Sequence, residues 1–257
     1  WVNEGDLPRL YSELNAIGLA DPGAGSILDI TACPGTDTCK LGIASSRGLA
    51  EELRQMLSTK QMELDEEVQK LRIKISGCFN SCGQHHIADM GFYGNSRTFK
   101  GYKVPHFQVV LGGEWKNNAG TFGMAMGAIP SKNIPKVVLK LTEYYVKNRN
   151  SKDQSFQEYY SSQNKSDIKA QLQEYTEIPP YLEDSEFYTD WGDPRVFTLG
   201  DMGVGECAGE VVSLTEVELQ SAERICFEAQ LKLDEGKLED AEDKAYKSML
   251  RGASALL

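Results

Sequence analysis

The sequence has no apolar run near the ~18 residues that would cross a bilayer as a helix, so no membrane-spanning helix is expected. It is also short of positive charge. There are 27 Lys and Arg against 38 Asp and Glu, a formal net charge of -11. A nucleic-acid partner would need a basic face, so that class is set aside. No signal peptide is expected, and no C-x-x-C pair offers a redox disulfide. The chain opens W-V-N-E-G without Met and closes A-S-A-L-L in a helical pattern, so a piece of a longer polypeptide is expected. Six cysteines in 257 residues, without a targeting segment, point to a reducing, cytoplasmic compartment and to metal chemistry rather than a disulfide scaffold.

Four of those cysteines form two tight pairs, Cys33/Cys39 (C-x5-C) and Cys78/Cys82 (C-x3-C). They lie in turns rich in Gly, Thr and Asn, whereas a buried structural cysteine sits among Leu, Val or Ile. They read as ligands. Structural zinc favours C-x2-C to C-x4-C pairs, and iron–sulfur clusters accept wider spacings. The spacing leans toward iron–sulfur and leaves zinc open.

Leu7–Leu19 has helical spacing. Ser26–Thr31 reads as a strand delivering Cys33, and a helix is expected from Thr36 or Asp37 to Leu57, with Cys39 in its first turn beside unpaired backbone N–H groups. Met62–Gln69 reads as a short acidic helix or turn. Leu71–Ser76 alternates and ends at Gly77-Cys78, so a second strand presents the second pair. Further strands are expected at Asp89–Tyr93 and His106–Leu111, joined by a turn-rich segment. Met124 and Met126 read as packing around a tight turn. A helix is expected over Ser131–Asn148, and Ser155-x-x-Glu158 is a capping box opening helix to about Tyr175. Thr215-x-x-Glu218 is another capping box. It opens a helix (Val217, Ala222, Ile225, Ala229, Leu233) that Gly236 ends before a partner helix over Leu238–Leu257. Cys226 is expected in the core of that hairpin and Cys207 to be a plain small residue, while His85 and His86 read as surface or supporting groups. The fold class is α+β: a sheet with packed helices, then a carboxy-terminal helical hairpin.

T-A-C-P-G-T-D-T-C-K-L-G-I-A-S-S and S-G-C-F-N-S-C-G-Q-H-H-I-A-D-M-G-F-Y-G closely resemble the two cluster-binding motifs of the sirohaem nitrite and sulfite reductases. The resemblance runs from about Leu7 to Tyr175. One departure is Phe79-Asn80-Ser81, where the family commonly has Pro-Asn-Gly. The resemblance implies that Cys33, Cys39, Cys78 and Cys82 ligate a [4Fe–4S] cluster. It also implies that Cys82 bridges to sirohaem, and that Ala32, Ser76 and Asn80 lie against these cofactors. It further implies reduction of sulfite to sulfide or nitrite to ammonia, with electrons from a donor such as ferredoxin or a flavoprotein. The basic residues that hold sirohaem and substrate belong mainly to the family's amino-terminal half. Lys40, Arg47, Arg72 and Lys74 form no equivalent cluster, so that half is an expected partner and no catalytic residue is assigned in this fragment. The expected organisation is a cluster domain over 1–175, a connector over 176–212 and a helical hairpin over 213–257. The competing reading is a non-catalytic protein using four cysteines to hold a cluster for electron transfer, or a structural zinc.

Overall fold

The computed structural model describes residues 1–60, 63–116, 120–199 and 214–254. The chain divides into two compact units, Trp1–Cys207 and Ala208–Leu257.

Unit 1 is built on a five-stranded mixed sheet in the order β1-β2-β3-β4-β5: β1 Thr31–Ala32, β2 Ile73–Ser76, β3 Met90–Phe99, β4 Tyr102–Leu111 and β5 Met124–Pro130. β1, β2 and β3 run parallel, and β3-β4-β5 is an antiparallel meander. Ile73 and Ile75 of β2 are fully buried, as the L-R-I-K-I-S alternation predicts. The principal helices are α1 (Leu7–Ala16), α2 (Ser46–Ser58), α3 (Glu66–Gln69), α4 (Ile134–Asn148), α5 (Phe156–Ser162) and α6 (Lys165–Leu172). Leu49, Leu53 and Leu57 of α2 join Val137, Val138, Leu141 and Tyr145 of α4 in one core with the strands. The Ser155 capping box forms: Ser155 Oγ accepts the Glu158 amide at 3.1 Å, and the Glu158 carboxylate accepts the Ser155 amide at 2.9 Å. Arg149 clamps α3 to the end of α4 through two hydrogen bonds to Asp65, 3.1 and 2.8 Å long.

Several expectations are corrected. The strand expected at Ser26–Thr31 shrinks to Thr31–Ala32, because Ser26–Ile30 turns on itself through the Asp29 amide to the Ser26 carbonyl. α2 begins at Ser46, capped by Ser45, not at Thr36 or Asp37, and Cys39 therefore stands in a loop. The segment read as turn-rich between two strands is itself strand: β3 and β4 continue to a two-residue turn at Lys100 (φ 48) and Gly101 (φ 89). Both residues are left-handed there, which matches the natural twist of a hairpin. Met124 and Met126 lie in β5, with Met126 buried, and not around a tight turn. The helix expected from Ser155 to Tyr175 is broken at Gln163–Asn164 into α5 and α6.

After α6 the chain stays with unit 1. Tyr188 is buried, and a two-stranded ribbon follows, β6 Thr189–Asp190 and β7 Asp193–Val196.

Unit 2 holds two helices, α7 (Leu214–Asp234) and α8 (Leu238–Ser254), joined at Gly236 (φ 75). Small residues form their seam: Ala222, Ala229 and Ala241 are buried, and Ser248 Oγ donates to the Ala222 carbonyl at 2.8 Å. Leu233, Leu238 and Met249 are exposed, so the seam is narrower than the apolar spacing suggests. Cys226 is exposed as well, contrary to its expected place in the core. Cys207 lies outside the described residues, as do the side chains of the Thr215-x-x-Glu218 box and of Val217.

Candidate cysteine-cluster site

Adjacent parallel strands end on the same edge of a sheet, and that edge is where open α/β sheets expose their sites. Cys33 follows β1 directly, and Cys78 follows β2 after one glycine. The crossover from β2 to β3 is close to the minimum of a dozen residues that parallel pairing requires, and it carries both Cys78 and Cys82 in place of a long helix. Topology alone therefore brings the two cysteine segments together.

Glycine closes the gap between them. The Gly77 carbonyl accepts the amides of Ile43 (2.8 Å) and Ala44 (3.0 Å). A Cβ on Gly77 would lie 2.5 Å from the Gly35 Cα, one on Gly42 would lie 2.7 Å from the Gly35 carbonyl carbon, and one on Gly94 would lie 2.1 Å from the Gly77 carbonyl oxygen. Four chain segments meet there backbone to backbone. This contact decides three of the corrections above. It holds residues 38–45 out of the helix, keeps Cys39 in a loop, and retains Gly94 within β3 despite its turn-like neighbours Asn95 and Ser96.

The thiols meet oriented donors. The Gly77 amide donates to Cys33 Sγ at 3.0 Å, and Ser46 Oγ, 3.5 Å from that sulfur, donates to the Cys33 carbonyl at 2.7 Å. Burial pushes the Cys78 thiol up from its ordinary value, the Asn80 backbone lowers it against that effect, and the sulfurs of Cys33, Cys39 and Cys82 push it further up. The other three cysteines are thus close enough to act on Cys78. Yet among the described residues no three His, Cys, Asp or Glu side chains converge tightly enough to hold a single metal ion. Cys78 is buried, Cys33 and Cys39 are half-buried, and Cys82 is exposed.

Of the other candidate residues, Ala32 is half-buried and packs on the core. Ser76 is 1% exposed and holds the second loop from within: its Oγ accepts the Gly83 amide at 3.0 Å and lies 2.9 Å from His85 Nδ1. Asn80 is exposed and works through its backbone. His85, expected at the surface or in support, is buried, and burial followed by its neighbour His86 pushes its imidazole down to about 4. Two buried polar atoms on these segments, Thr38 Oγ1 and His86 Nδ1, have no hydrogen-bond partner among the described residues. Three of the four basic residues have separate partners: Arg47 pairs with Asp37 (3.7 Å), Arg72 bonds the Ser26 carbonyl (2.9 Å) and Lys74 bonds Gln84 (3.0 Å), while burial and then the neighbouring Arg72 charge lower the Lys74 ammonium.

Sequence reasoning missed the glycine contact, because close approach belongs to pairs of segments rather than to either one. It also missed Asp190. That buried carboxylate accepts the Ser45 amide at 2.7 Å, the Trp191 amide at 2.9 Å and Ser131 Oγ at 3.3 Å, which fixes the start of α2 beside Ser46 and Cys33.

The family model described as the nitrite and sulphite reductase 4Fe-4S domain matches residues 23–159. The chain belongs to this family. The ferredoxin sulfite reductase of Mycobacterium tuberculosis is 31% identical over 147 residues, 56% of this chain and 26% of the relative. The assimilatory ferredoxin-dependent nitrite reductase of Haloferax mediterranei is 25% identical over 158 residues, 60% of this chain and 26% of that protein. The solved structure of Mycobacterium tuberculosis NirA protein matches with a TM-score of 0.54 at 29% identity, covering 65% of this chain and 31% of that one. The chain thus spans about a quarter of the length of the curated relatives it matches. Among the described residues no helix is long and apolar enough to cross a membrane.

Proposed function

We propose that this chain is the cluster-bearing part of a sirohaem-dependent nitrite or sulfite reductase. In this reading Cys33, Cys39, Cys78 and Cys82 hold a [4Fe–4S] cluster, and Cys82 also bridges to the sirohaem iron. The observation that carries it is the meeting of two strand-end cysteine segments, joined by the Ile43 and Ala44 amides on the Gly77 carbonyl and by the Gly77 amide on Cys33 Sγ. The donor set fits a sulfur-rich cluster, with the Gly77 N–H aimed at the sulfur of Cys33. Such bonds help set a cluster's potential. A lone zinc fits less well, since bonds of about 2.3 Å would draw four sulfurs onto one point, and no such convergence exists among the described residues.

When bound, the two groups supply electron storage and bond-making at iron for the six-electron reduction of sulfite to sulfide or nitrite to ammonia. The chain's own residues hold four thiolates in fixed directions, with Ser76, Asn80 and Ala32 beside them. Cys82 is exposed, as a sulfur shared with a second group must be. The unpartnered Thr38 and His86 atoms suit a site completed by groups this chain does not supply. Among the described residues the basic side chains of Arg47, Arg72 and Lys74 near the cysteines are engaged by other partners, so seating an anionic substrate falls to the amino-terminal half of the same polypeptide, and the chain alone is inactive. Ferredoxin, named for the relatives, or a flavoprotein would supply electrons in the cytoplasm. In domain terms, 1–175 is the cluster domain, 176–212 a connector and 213–257 an added helical hairpin.

Anaerobic preparation with metal and sulfide analysis tests this. About four iron and four sulfide per chain, with a visible band that bleaches on reduction, is the expected result. A colourless chain with one zinc that iron and sulfide cannot replace would refute it.

A further inference from the structure

His85 belongs neither to the apolar core nor to the proposed ligands, yet it is 4% exposed and stands three residues after Cys82. Each ring nitrogen faces a hydroxyl: Nδ1 lies 2.9 Å from Ser76 Oγ, and Nε2 lies 3.5 Å from Ser81 Oγ. Those hydroxyls have second partners. Ser76 Oγ accepts the Gly83 amide at 3.0 Å, and Ser81 Oγ donates to the Phe79 carbonyl at 3.3 Å.

These partners fix the direction of every proton. A carbonyl can only accept, so the Ser81 proton points to Phe79. The Ser81 oxygen is then an acceptor, and Nε2 must carry the imidazole proton. In a neutral ring Nδ1 is left as the acceptor, and it takes the Ser76 proton. The chain runs from the Gly83 amide through Ser76 and His85 to Ser81 and the Phe79 carbonyl. The other tautomer would strand the Ser76 proton and pull the Ser81 proton away from Phe79.

The same loop carries two left-handed residues that are not glycine, Ser81 (φ 64) and Gln84 (φ 59), one on each side of the Cys82–Gly83 step. Such conformations persist only where the surroundings impose them. β3 fixes His85 from the other side. Its ring rests on Tyr93 with centroids 4.7 Å apart, and its carbonyl is so close to Gly91 that a Cβ there would lie 1.9 Å from the oxygen. Cys82 is exposed, so packing does not aim its thiol; the loop does.

We propose that His85, as the neutral Nε2–H tautomer, is the positioning residue of the second cysteine pair, tying the end of β2 to the residue before Cys82 and fixing the direction of that thiol. The proposal rests on the reading of Cys78 and Cys82 as cluster ligands.

The test uses the full chain in two states. In the metal-free state, ring 15N shifts report the tautomer, and the Nε2–H form is expected. In the state reconstituted with iron and sulfide, iron release to a ferrous chelator and the EPR spectrum of the reduced cluster are compared for wild type, His85→Phe and His85→Gln. Phe keeps the ring and loses both hydrogen bonds; Gln restores a donor toward Ser81. Expected are release about 10-fold faster and an altered spectrum in His85→Phe, an intermediate effect in His85→Gln, and a fall in metal-free melting temperature, from the unpaired Ser76 hydroxyl, that is similar in the two variants and so does not rank with release. An Nδ1–H tautomer overturns the proposal, as does a His85→Phe chain with wild-type release and spectrum. A loss of metal-free stability that accounts for the faster release would make His85 structural only and overturn it too. A wild-type chain that assembles no cluster overturns the ligand reading and the proposal with it. A wild-type cluster that is indifferent to His85 overturns only the role of the histidine.

Discussion

The segment carrying Cys33 and Cys39 is fixed by backbone against backbone, whereas the segment carrying Cys78 and Cys82 adds a network of side chains to close backbone contacts of its own, Gly83 on the Ile75 carbonyl and Gly91 on the His85 carbonyl. In the first, Gly35, Gly42 and Gly77 touch with no room for a Cβ, and the Gly77 carbonyl binds two amides of the facing loop. In the second, Ser76, His85 and Ser81 hold a loop that contains two left-handed residues with side chains. The two constructions respond differently to substitution. A backbone contact tolerates no added atom, while a side-chain network loses one bond at a time.

The largest effect is expected at the glycine contact. Gly94→Ala would set a Cβ 2.1 Å from the Gly77 carbonyl oxygen and 2.9 Å from the Ala44 amide. Both are backbone atoms that cannot rotate away, so β3 must shift. The cost is expected to exceed about 3 kcal/mol, read as a fall in the urea midpoint of the metal-free chain. A variant of near wild-type stability would mean that the segments are not locked backbone to backbone.

The first segment also leans on residues beyond the matched family domain. Asp190→Ala would remove the acceptor of the Ser45 and Trp191 amides and of Ser131 Oγ at a buried point. The expected loss is about 2–3 kcal/mol, the range for stranding donors that bonded a charged group. Thermal unfolding measures it, and a loss below about 0.5 kcal/mol, the level of an ordinary surface change, would show that the β6–β7 ribbon does not support α2.

For the second segment, Ser76→Ala leaves the buried Gly83 amide and His85 Nδ1 without their partner. About 1–2 kcal/mol is expected, with amide exchange quickened at Gly83 and unchanged at Ile43 and Ala44. Equal quickening at both segments would erase the distinction between them.

How far the sequence disclosed this arrangement follows the range of each interaction. Strand β2, helix α4 and the Ser155 box were legible because alternation, helical spacing and capping are local. The cysteine segments stood out because Gly, Thr and Asn surround them where a core would place aliphatic residues. The start of α2 was hidden: Thr36 and Asp37 are good caps by type, and only the contact of Gly35 and Gly42 with Gly77, far away in sequence, moves the helix start to Ser46. β5 was hidden for a similar reason, since M-A-M-G shows its strand character only when paired with β4. The exposed Cys226 was misjudged because a seam of small residues, Ala222, Ala229 and Ala241, carries contact that the larger apolar side chains were expected to make.

The smallest and most discriminating prediction concerns Ser81, at φ 64 in the position where the motif commonly has Gly. An L-residue pays roughly 1 kcal/mol for that conformation, so Ser81→Gly would relieve strain. The same change removes the hydroxyl that bridges the Phe79 carbonyl and His85 Nε2, a net loss of about 0.5–1.5 kcal/mol, and adds backbone freedom to the unfolded chain. The terms nearly cancel, so the urea midpoint of the metal-free chain should move little in either direction. Their signatures separate in the reconstituted chain. If the side-chain network aims Cys82, Ser81→Gly should speed iron release even with stability unchanged, because one link of the strut is gone. If the left-handed backbone alone aims it, glycine serves as well as serine and release stays at the wild-type rate. The second outcome would shift the comparison, making this loop, like the first, a construction of backbone.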